Sequence, residues 1–203
     1  MNFCIIEENF DYNNKCSFES LYIGLKCKNS SLLMKYNIED IKDLYKLCKD
    51  GNDTNPSLLN HNRIKEIYNN SPEIGKKIID EISYKLQNDI NGFNQFIFVC
   101  FALYFHIHIH FFENGEFNEE MSGINKNIEN PNEIIKVQFT SKHVEYVPEN
   151  ENEQKIYDEI KSNIYQIIVD KDISNKELDY MLEKNNSSDD EDIFNISDIN
   201  YIF

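Results

Sequence analysis

Asn13-Asn14-Lys15-Cys16-Ser17-Phe18-Glu19-Ser20-Leu21 is the stretch around which the rest of the chain is organised. Asn13 and Asn14 favour a loop, and the spacing of the apolar residues that follow is helical: Phe18, Leu21, Tyr22 and Leu25. A cysteine at this junction meets the positive end of the helix dipole, which favours a thiolate. The stretch predicts a nucleophilic thiol, against the commoner role of an unpaired cysteine as a small buried apolar residue.

Length and composition predict one folded domain with additions. The chain has 203 residues, and 40% of them are apolar, including 14 Phe and 12 Tyr. This content is too high for a disordered chain. The length suits a single core of roughly 100–200 residues plus an appendage.

The formal charge of −16 is spread unevenly along the sequence. Residues 149–203 hold 15 acidic and 5 basic side chains, a net charge of −10. A surface of this sign repels phosphate groups, so we expect neither nucleic acid nor anionic membranes as partners. Basic protein surfaces are the natural complement.

Five cysteines occur at irregular spacings without a CxxC pair: Cys4, Cys16, Cys27, Cys48 and Cys100. This pattern disfavours a disulfide framework or a zinc ribbon and favours a reducing compartment. The N-terminus shows no secretory signal, and the longest apolar stretch, residues 96–105, is too short to span a bilayer. We therefore expect a cytoplasmic location, which would be the host cytosol for a protein from an intracellular microbe or a virus.

Most of the first 104 residues are predicted to be helical. A short strand at residues 3–6 precedes the Cys16 helix, and Asn37 is expected to cap a second helix over residues 38–49. Residues 54–70 are interpreted as a long loop with one helical turn. Ser71-Pro72-Glu73 starts a further helix with Ile74, Ile78, Ile82 and Leu86 on one face. An apolar, buried helix follows over residues 93–104.

The second half of the domain contains the predicted strands. Residues 105–111 alternate with period two, which places His106, His108 and His110 on one strand face. Two neighbouring histidines could share a zinc ion, but no cysteine or carboxylate completes the set, and we favour a polar strand face. Residues 113–116 form a turn, and strands at 134–139 and 144–147 form a hairpin around residues 140–142.

His143 supplies the base that a cysteine nucleophile needs. Strand alternation places His143 and Glu145 on one face, so the carboxylate can orient the ring while the ring takes the thiol proton. Cys16, His143 and Glu145 are therefore a candidate catalytic triad. The alternative is a histidine that ends a strand and a solvated edge carboxylate.

The order of these features resembles the ovarian-tumour (OTU) class of deubiquitinases, which are papain-like cysteine proteases. The first motif keeps the cysteine, the aromatic Phe18, the small Ser20 and the apolar Leu21, and the closing motif of that class becomes His143-Val144-Glu145. The Asp-Gly-Asn of its oxyanion loop is replaced by Asn13, Asn14 and Lys15, and glutamate stands where Asp or Asn is usual. The resemblance covers roughly residues 1–148.

The resemblance implies an α+β, papain-like domain with a small central sheet flanked by helices. It implies cleavage after the C-terminal glycine of ubiquitin or a ubiquitin-like modifier, without metal or cofactor, with ubiquitin and ubiquitinated proteins as partners. Backbone amides near Asn13, Asn14 and Lys15 would hold the oxyanion. Two rivals are an inactive acidic module that binds ubiquitin or another protein, and a cysteine protease of another substrate class.

Residues after Pro148 are expected to form a helical extension, which either packs on the core or forms a separate docking surface. Isoleucines recur at helical spacing over residues 154–169, and residues 176–183 suggest a shorter helix. The predicted organisation is a protease domain at 1–148, a helical extension at 149–184 and an acidic tail at 185–203. The Asn-, Ile- and Lys-rich composition suits an AT-rich genome, which makes a host-directed effector a further hypothesis.

Overall fold

The protein is described here from a computed structural model, which covers residues 10–12, 15–90, 92–123, 133–140 and 143–186. In chain order the elements are α1 (Cys16–Lys28), α2 (Ser30–Tyr36), α3 (Ile41–Asp50), α4 (Asn62–Asn70), α5 (Glu73–Gln87), α6 (Ile97–Phe105), β1 (Ile109–Glu113), β2 (Glu116–Gly123), β3 (Ile135–Thr140), β4 (His143–Tyr146) and α7 (Glu151–Asn186). The predicted α+β class is confirmed.

The chain divides into two units, Met1–Ser162 and Asn163–Phe203. The first unit holds α1 to α6, the four strands and the beginning of α7. The remainder of α7 belongs to the second unit. The predicted strand at residues 3–6, Asn13, Asn14 and the acidic tail from residue 187 lie outside the described residues.

The described strands form one sheet in the order β2-β1-β3-β4. β1 and β3 are parallel, and the other two pairs are antiparallel. Asn114 and Gly115 join β1 to β2 with φ values of 51° and 84°, as a two-residue turn of type I′ requires. The turn at 113–116 is confirmed, but β2 was not predicted, because its sequence EFNEEMSG has little apolar alternation.

Helix α1 begins at Cys16, as predicted. The four apolar side chains that predicted it are all buried, and Phe18 lies at the centre of an aromatic cluster. The Phe18 ring packs edge-on against Tyr45, Phe93 and Phe101, with centroid distances of 4.9, 5.4 and 5.1 Å. Such edge-to-face contacts add to the stabilisation from burial and hold the start of α1 against the core.

The second predicted helix starts later than expected. Asp40 caps α3 by accepting a hydrogen bond from the Asp43 N–H at 2.9 Å. Asn37 instead ends the unpredicted helix α2, in the left-handed region with φ of 54°. Asparagine tolerates this conformation, so its position in the sequence suited a helix end as well as a helix start.

Two further helices differ from their predictions. Residues 54–70 contain the nine-residue helix α4 rather than a single helical turn. Helix α5 starts after Pro72 as predicted, but Ile74 is 71% exposed. The buried residues of α5 are Ile79, Ile82 and Leu86, so only the second half of the predicted face contacts the core.

The predicted strand at 105–111 forms only from Ile109 onward, as β1, and the prediction that three histidines share one of its faces is wrong. Helix α6 starts at Ile97, continues to Phe105, and ends at His106 in the left-handed region with φ of 57°. The Ile107 N–H donates to Ala102 O at 3.1 Å, which closes the helix end. Of the three histidines, only His110 lies in β1. Phe105 is buried in the apolar core as the last residue of α6, so the strand begins later than predicted.

The closing hairpin is confirmed. Thr140 pairs with His143 and Gln138 with Glu145 across β3 and β4. The two helices predicted over 154–169 and 176–183 are parts of the continuous helix α7.

Candidate active site

Cys16 is the first residue of α1 and is partly exposed. The carbonyl of Lys15 accepts hydrogen bonds from the N–H groups of Phe18 and Glu19, both at 2.9 Å. The N–H groups of Cys16 and Ser17 are then those that helix geometry leaves without an intrahelical acceptor. An anion that forms beside the Cys16 thiol would meet these two donors.

The other cysteines of the described residues are unsuited to act as nucleophiles at neutral pH. Burial raises the pKa of Cys27 to about 11 and that of Cys100 to about 12. Burial also raises the pKa of Cys48. A thiol nucleophile acts as its thiolate, so Cys16 remains the candidate among the cysteines that the structure describes.

Helix α1 packs along β4 through two polar contacts. Ser20 Oγ donates a buried hydrogen bond of 3.0 Å to Val144 O. Further along both elements, the Cys27 thiol interacts with the Tyr146 hydroxyl. The two elements therefore run in the same direction along their contact, and Cys16 and His143 lie at the same end of it. Cys16 precedes Ser20 by one helical turn, about 6 Å along the axis.

Gly24 lets α1 approach the sheet closely. A Cβ at this position would lie 2.4 Å from Ile135 Cγ2 on the neighbouring strand β3. Real Cβ atoms essentially never make contacts this short. Glycine at this position, which has no side chain, therefore allows the helix to lie this close to the sheet. Cys16, Ser20 and Gly24 are spaced four residues apart and share one face of α1.

His143 and Glu145 share the open face of β4, as predicted. His143 Nε2 lies 3.6 Å from Glu145 Oε1, and the two side chains are 50% and 45% exposed. This distance suits an ion pair but exceeds a direct hydrogen bond. Because Glu145 faces Nε2, Nδ1 is the nitrogen left to exchange a proton with a nucleophile.

The structure brings the base and the acid together but does not complete the triad. Within the described residues, no hydrogen bond joins Cys16 to His143. Val144 and Tyr146 point into the core, so the His143 ring lies on the opposite face of β4. The hydrogen bond between Ser20 and Val144 joins α1 to β4 four residues after Cys16 and one residue after His143.

A groove of about 340 Å³ lies beside Glu145 on this open face. Its wall includes Gln138 and Thr140 of β3 and Gln154 and Tyr157 of α7. The groove offers amide, hydroxyl and phenol groups next to the His143–Glu145 pair. Extended polypeptide could be held by groups of this kind.

Lys161 connects the helix that carries Cys16 to the surroundings of Glu145, a role that no local sequence pattern predicted. Its Nζ forms a close ion pair with Glu19 Oε1 and lies 5.7 Å from the Tyr157 ring centroid. Burial lowers the pKa of Lys161, but the hydrogen bond and charge of Glu19, followed by the charges of Tyr157 and Glu145, raise it overall. The isoleucine spacing located the helix, but nothing local marked its partner 142 positions earlier in the chain.

Lys15, predicted as part of the oxyanion loop, turns its side chain into the protein. Lys15 is 3% exposed, and its Nζ lies 4.5 Å from the centroid of the Tyr45 ring. Burial lowers the pKa of the ammonium, while the charges of Asp89 and Asp11 oppose that change. The carbonyl of Lys15 accepts the first hydrogen bonds of α1. Asn13 and Asn14, the other two residues of the predicted oxyanion loop, lie outside the described residues.

The three histidines of the predicted polar strand face separate in space. His106 is exposed and lies 6.0 Å from His61 between ring centroids. His108 is buried, and His110 packs on Phe117 at 5.0 Å. Over the described parts of the chain, no three His, Cys, Asp or Glu side chains cluster in a way that could hold a metal ion.

Among the helices of the described residues, none combines the length and apolarity that crossing a membrane demands. No protein-family model, curated protein or solved structure matches this chain.

Proposed function

We propose that this protein is a papain-like cysteine hydrolase of the OTU type, which cleaves isopeptide or peptide bonds after the C-terminal glycine of ubiquitin or a ubiquitin-like modifier. The observation that carries the proposal is the packing of α1 along β4. It puts Cys16, at the first residue of α1, at the same end as His143, and His143 lies 3.6 Å from Glu145. The choice of ubiquitin rests on the motif resemblance.

The proposed reaction has two halves. Cys16 Sγ attacks the carbonyl carbon, its proton passes to His143, and the N–H groups of Cys16 and Ser17 stabilise the oxyanion. His143 then returns the proton to the departing amine, which leaves a thioester on Cys16. Water hydrolyses the thioester, with His143 again acting as the base, and regenerates the thiol. These steps need no metal or cofactor, and the thiol must be kept reduced, as in a cytosol.

A ubiquitin derivative with a cysteine-reactive C-terminus tests the proposal. We expect wild-type protein to be labelled, Cys16→Ala to be unlabelled and Cys27→Ala to be labelled normally. Cys27 is the matched control because it also lies on α1 and is partly exposed. His143→Ala should slow labelling by about 100-fold or more, the usual contribution of a general base. Labelling that persists in Cys16→Ala would contradict the assignment.

The exposure of His143 and Glu145 favours a second candidate, a catalytically inactive module that binds ubiquitin or another protein. The loss of Asp-Gly-Asn before Cys16 supports the same alternative. Saturable ubiquitin binding by wild-type protein that never reacts with the derivative would select this function. Hydrolysis of other peptides with no response to ubiquitin would instead indicate a cysteine protease of another substrate class.

A further inference from the structure

Four basic side chains lie where the ends of three helices meet. Lys35 is in the last turn of α2, His61 immediately precedes α4, Arg63 is in the first turn of α4, and His106 follows α6. The rings of His61 and His106 are 6.0 Å apart between their centroids. The reaction proposed for Cys16 uses none of these side chains, so this inference does not rest on that proposal.

Aromatic contacts connect the three helix ends. The Tyr104 ring of α6 lies 5.3 Å from the His61 ring and 6.0 Å from the Tyr36 ring, measured between centroids. Lys35 Nζ in turn lies 5.1 Å from the centroid of the Tyr36 ring. Tyr104 is buried, and its hydroxyl donates a hydrogen bond of 2.7 Å to Pro56 O. The core therefore fixes the rings against which these basic groups lie.

The charges that act on the two histidines are positive. Burial lowers the pKa of His61, and the charges of His106 and Arg63 lower it further. Burial also lowers the pKa of His106, and the charges of Arg63 and Lys35 act in the same direction. Arg63 is the single arginine of a chain that has 36 acidic side chains. In the part of the chain that the structure describes, no ion pair with a carboxylate includes Arg63 or Lys35.

The start of α4 adds backbone donors to this group. The first hydrogen bonds of the helix run from the N–H groups of Ile64 and Lys65 to His61 O, both at 3.0 Å. The N–H groups of Asn62 and Arg63 are then those that helix geometry leaves without an intrahelical acceptor. The first turn of α4 contains no acidic residue, and the side chain of His61 does not cap the helix. The positive end of the helix dipole is therefore not offset by a local carboxylate.

The His61 ring also has a nitrogen whose hydrogen bonding is incomplete. Among the described residues, nothing forms a hydrogen bond with His61 Nδ1, although this atom is buried. Buried polar atoms in folded proteins nearly always have a partner. This nitrogen is therefore a separate indication that a further group binds beside the His61 ring.

We propose that Arg63, His61, His106 and Lys35, together with the N-terminus of α4, bind the doubly charged phosphate group of a small phosphate compound. A guanidinium group donates two parallel hydrogen bonds to phosphate, and backbone N–H groups at a helix start are common phosphate donors. A carboxylate has two oxygens and could not use all these donors, whereas a phosphate group has at least three. The overall charge of −16 disfavours large polyanions, but screening in physiological salt limits the surrounding field to about 8 Å.

Calorimetric titration of the full chain with inorganic phosphate, at constant ionic strength, tests this proposal. We expect saturable one-to-one binding. Arg63→Gln should weaken it by about tenfold or more, because the charge and the paired hydrogen bonds are both lost. Arg63→Lys keeps the charge but not the planar fork, so it should recover only part of the affinity. Arg63 is exposed, and both variants should keep the melting temperature of the wild type.

His106→Asn tests the imidazole at the end of α6. His106 has a φ of 57°, and asparagine tolerates this left-handed conformation, so the variant removes the ring without straining the backbone. It should weaken phosphate binding by about fivefold, the equivalent of one hydrogen bond.

The matched control is Lys65→Gln, which removes one exposed positive charge from the same helix. Lys65 follows Arg63 by two residues and so points to another side of α4. The control should change the affinity by less than about twofold. The proposal is overturned if phosphate does not saturate the wild type, if Lys65→Gln loses as much affinity as Arg63→Gln, or if succinate binds as tightly as phosphate. These outcomes are independent of labelling at Cys16.

Discussion

At the scale of single residues, the His143–Glu145 pair is the most informative contact of the proposed site. Both side chains are about half exposed, and their closest polar atoms are 3.6 Å apart. Exposed ion pairs of this kind contribute about 0.2–1 kcal/mol. Glu145 therefore orients the ring weakly, and its loss should matter less than the loss of the thiol or the imidazole.

We predict that Glu145→Ala lowers ubiquitin-chain cleavage by about 1.4- to fivefold, which is the rate equivalent of that energy. Glu145→Gln should retain more activity, because its amide oxygen still accepts a hydrogen bond from the ring. Neither variant should shift the melting temperature. Steady-state cleavage and thermal unfolding measured side by side check both statements.

Two outcomes would change the role of Glu145. Wild-type rates in Glu145→Ala would reassign it to a solvated strand edge and leave Cys16 and His143 as a dyad. If Glu145→Ala lowers the cleavage rate as much as His143→Ala does, the carboxylate controls the orientation of the His143 ring far more strongly than its exposure suggests.

At the scale of elements, α7 stabilises the position of α1 through Lys161. We predict that Lys161→Gln lowers the free energy of unfolding by about 1 kcal/mol, because Glu19 loses its charged partner in a partly buried setting. It should also lower Cys16 labelling, since Glu19 lies three residues from Cys16 on α1. Chemical denaturation and labelling rates measure the two effects.

The control for this prediction is Lys155→Gln, an exposed α7 residue with the same change of charge. It should alter neither quantity. The single variant Glu19→Gln and the double variant Glu19→Gln with Lys161→Gln complete the comparison. If the double variant lowers the free energy of unfolding by the sum of the two single losses, the two residues do not act as a pair.

The junction between β4 and α7 should make stability depend on pH through Glu153. Its oxygens receive hydrogen bonds from Lys28, Tyr146 and Asn150 at 2.7–2.8 Å. Burial acts to raise the pKa of Glu153, but the hydrogen bonds from Lys28 and Tyr146 outweigh burial and hold the pKa below its ordinary value. A carboxyl whose pKa is lowered by folding stabilises the protein above its unfolded pKa, and that contribution is lost as pH falls through the folded value.

We therefore predict that the free energy of unfolding decreases as pH falls below about 4.5. Glu153→Gln should cost about 1–3 kcal/mol at pH 7 and flatten this part of the profile. Denaturation at a series of pH values checks the prediction. Glu159→Gln is the exposed control, and an equally flattened profile in that variant would move the effect away from Glu153.

At the scale of the whole molecule, the chain divides into two compact units after Ser162. The first unit contains the aromatic core, all described strands, and the residues that pair with Glu19 and Lys28. We predict that a chain ending at Ser162 unfolds cooperatively, keeps a melting temperature near that of the full chain and reacts at Cys16 equally fast. Circular dichroism melting and labelling measure these properties.

A chain ending at Pro148 is the contrasting variant, because it also removes Glu149, Glu153 and Lys161. It should be strongly destabilised, since Lys28 and Glu19 lose their charged partners. Equal stability of the two truncated chains would show that the start of α7 adds little to the first unit. If the chain ending at Ser162 does not fold, the division of the chain into two units after Ser162 is contradicted.

The sequence by itself determined the elements whose signals are local and repeated. Helical spacing located α1, and Ser71-Pro72-Glu73 located the start of α5. The turn residues at 113–116 located the end of β1, and the hairpin pattern located β3 and β4. His143 and Glu145 share a face for the same reason, because strand geometry alone decides it.

Only the tertiary structure decided the features that depend on distant residues. Burial of Phe105 extended α6 and ended the apparent histidine strand. The contact of Ser20 with Val144 joins residues 124 positions apart, and the pairing of Glu19 with Lys161 spans 142 positions. Local propensities cannot encode such pairs, because the free energy that selects them comes from packing and desolvation in the folded core.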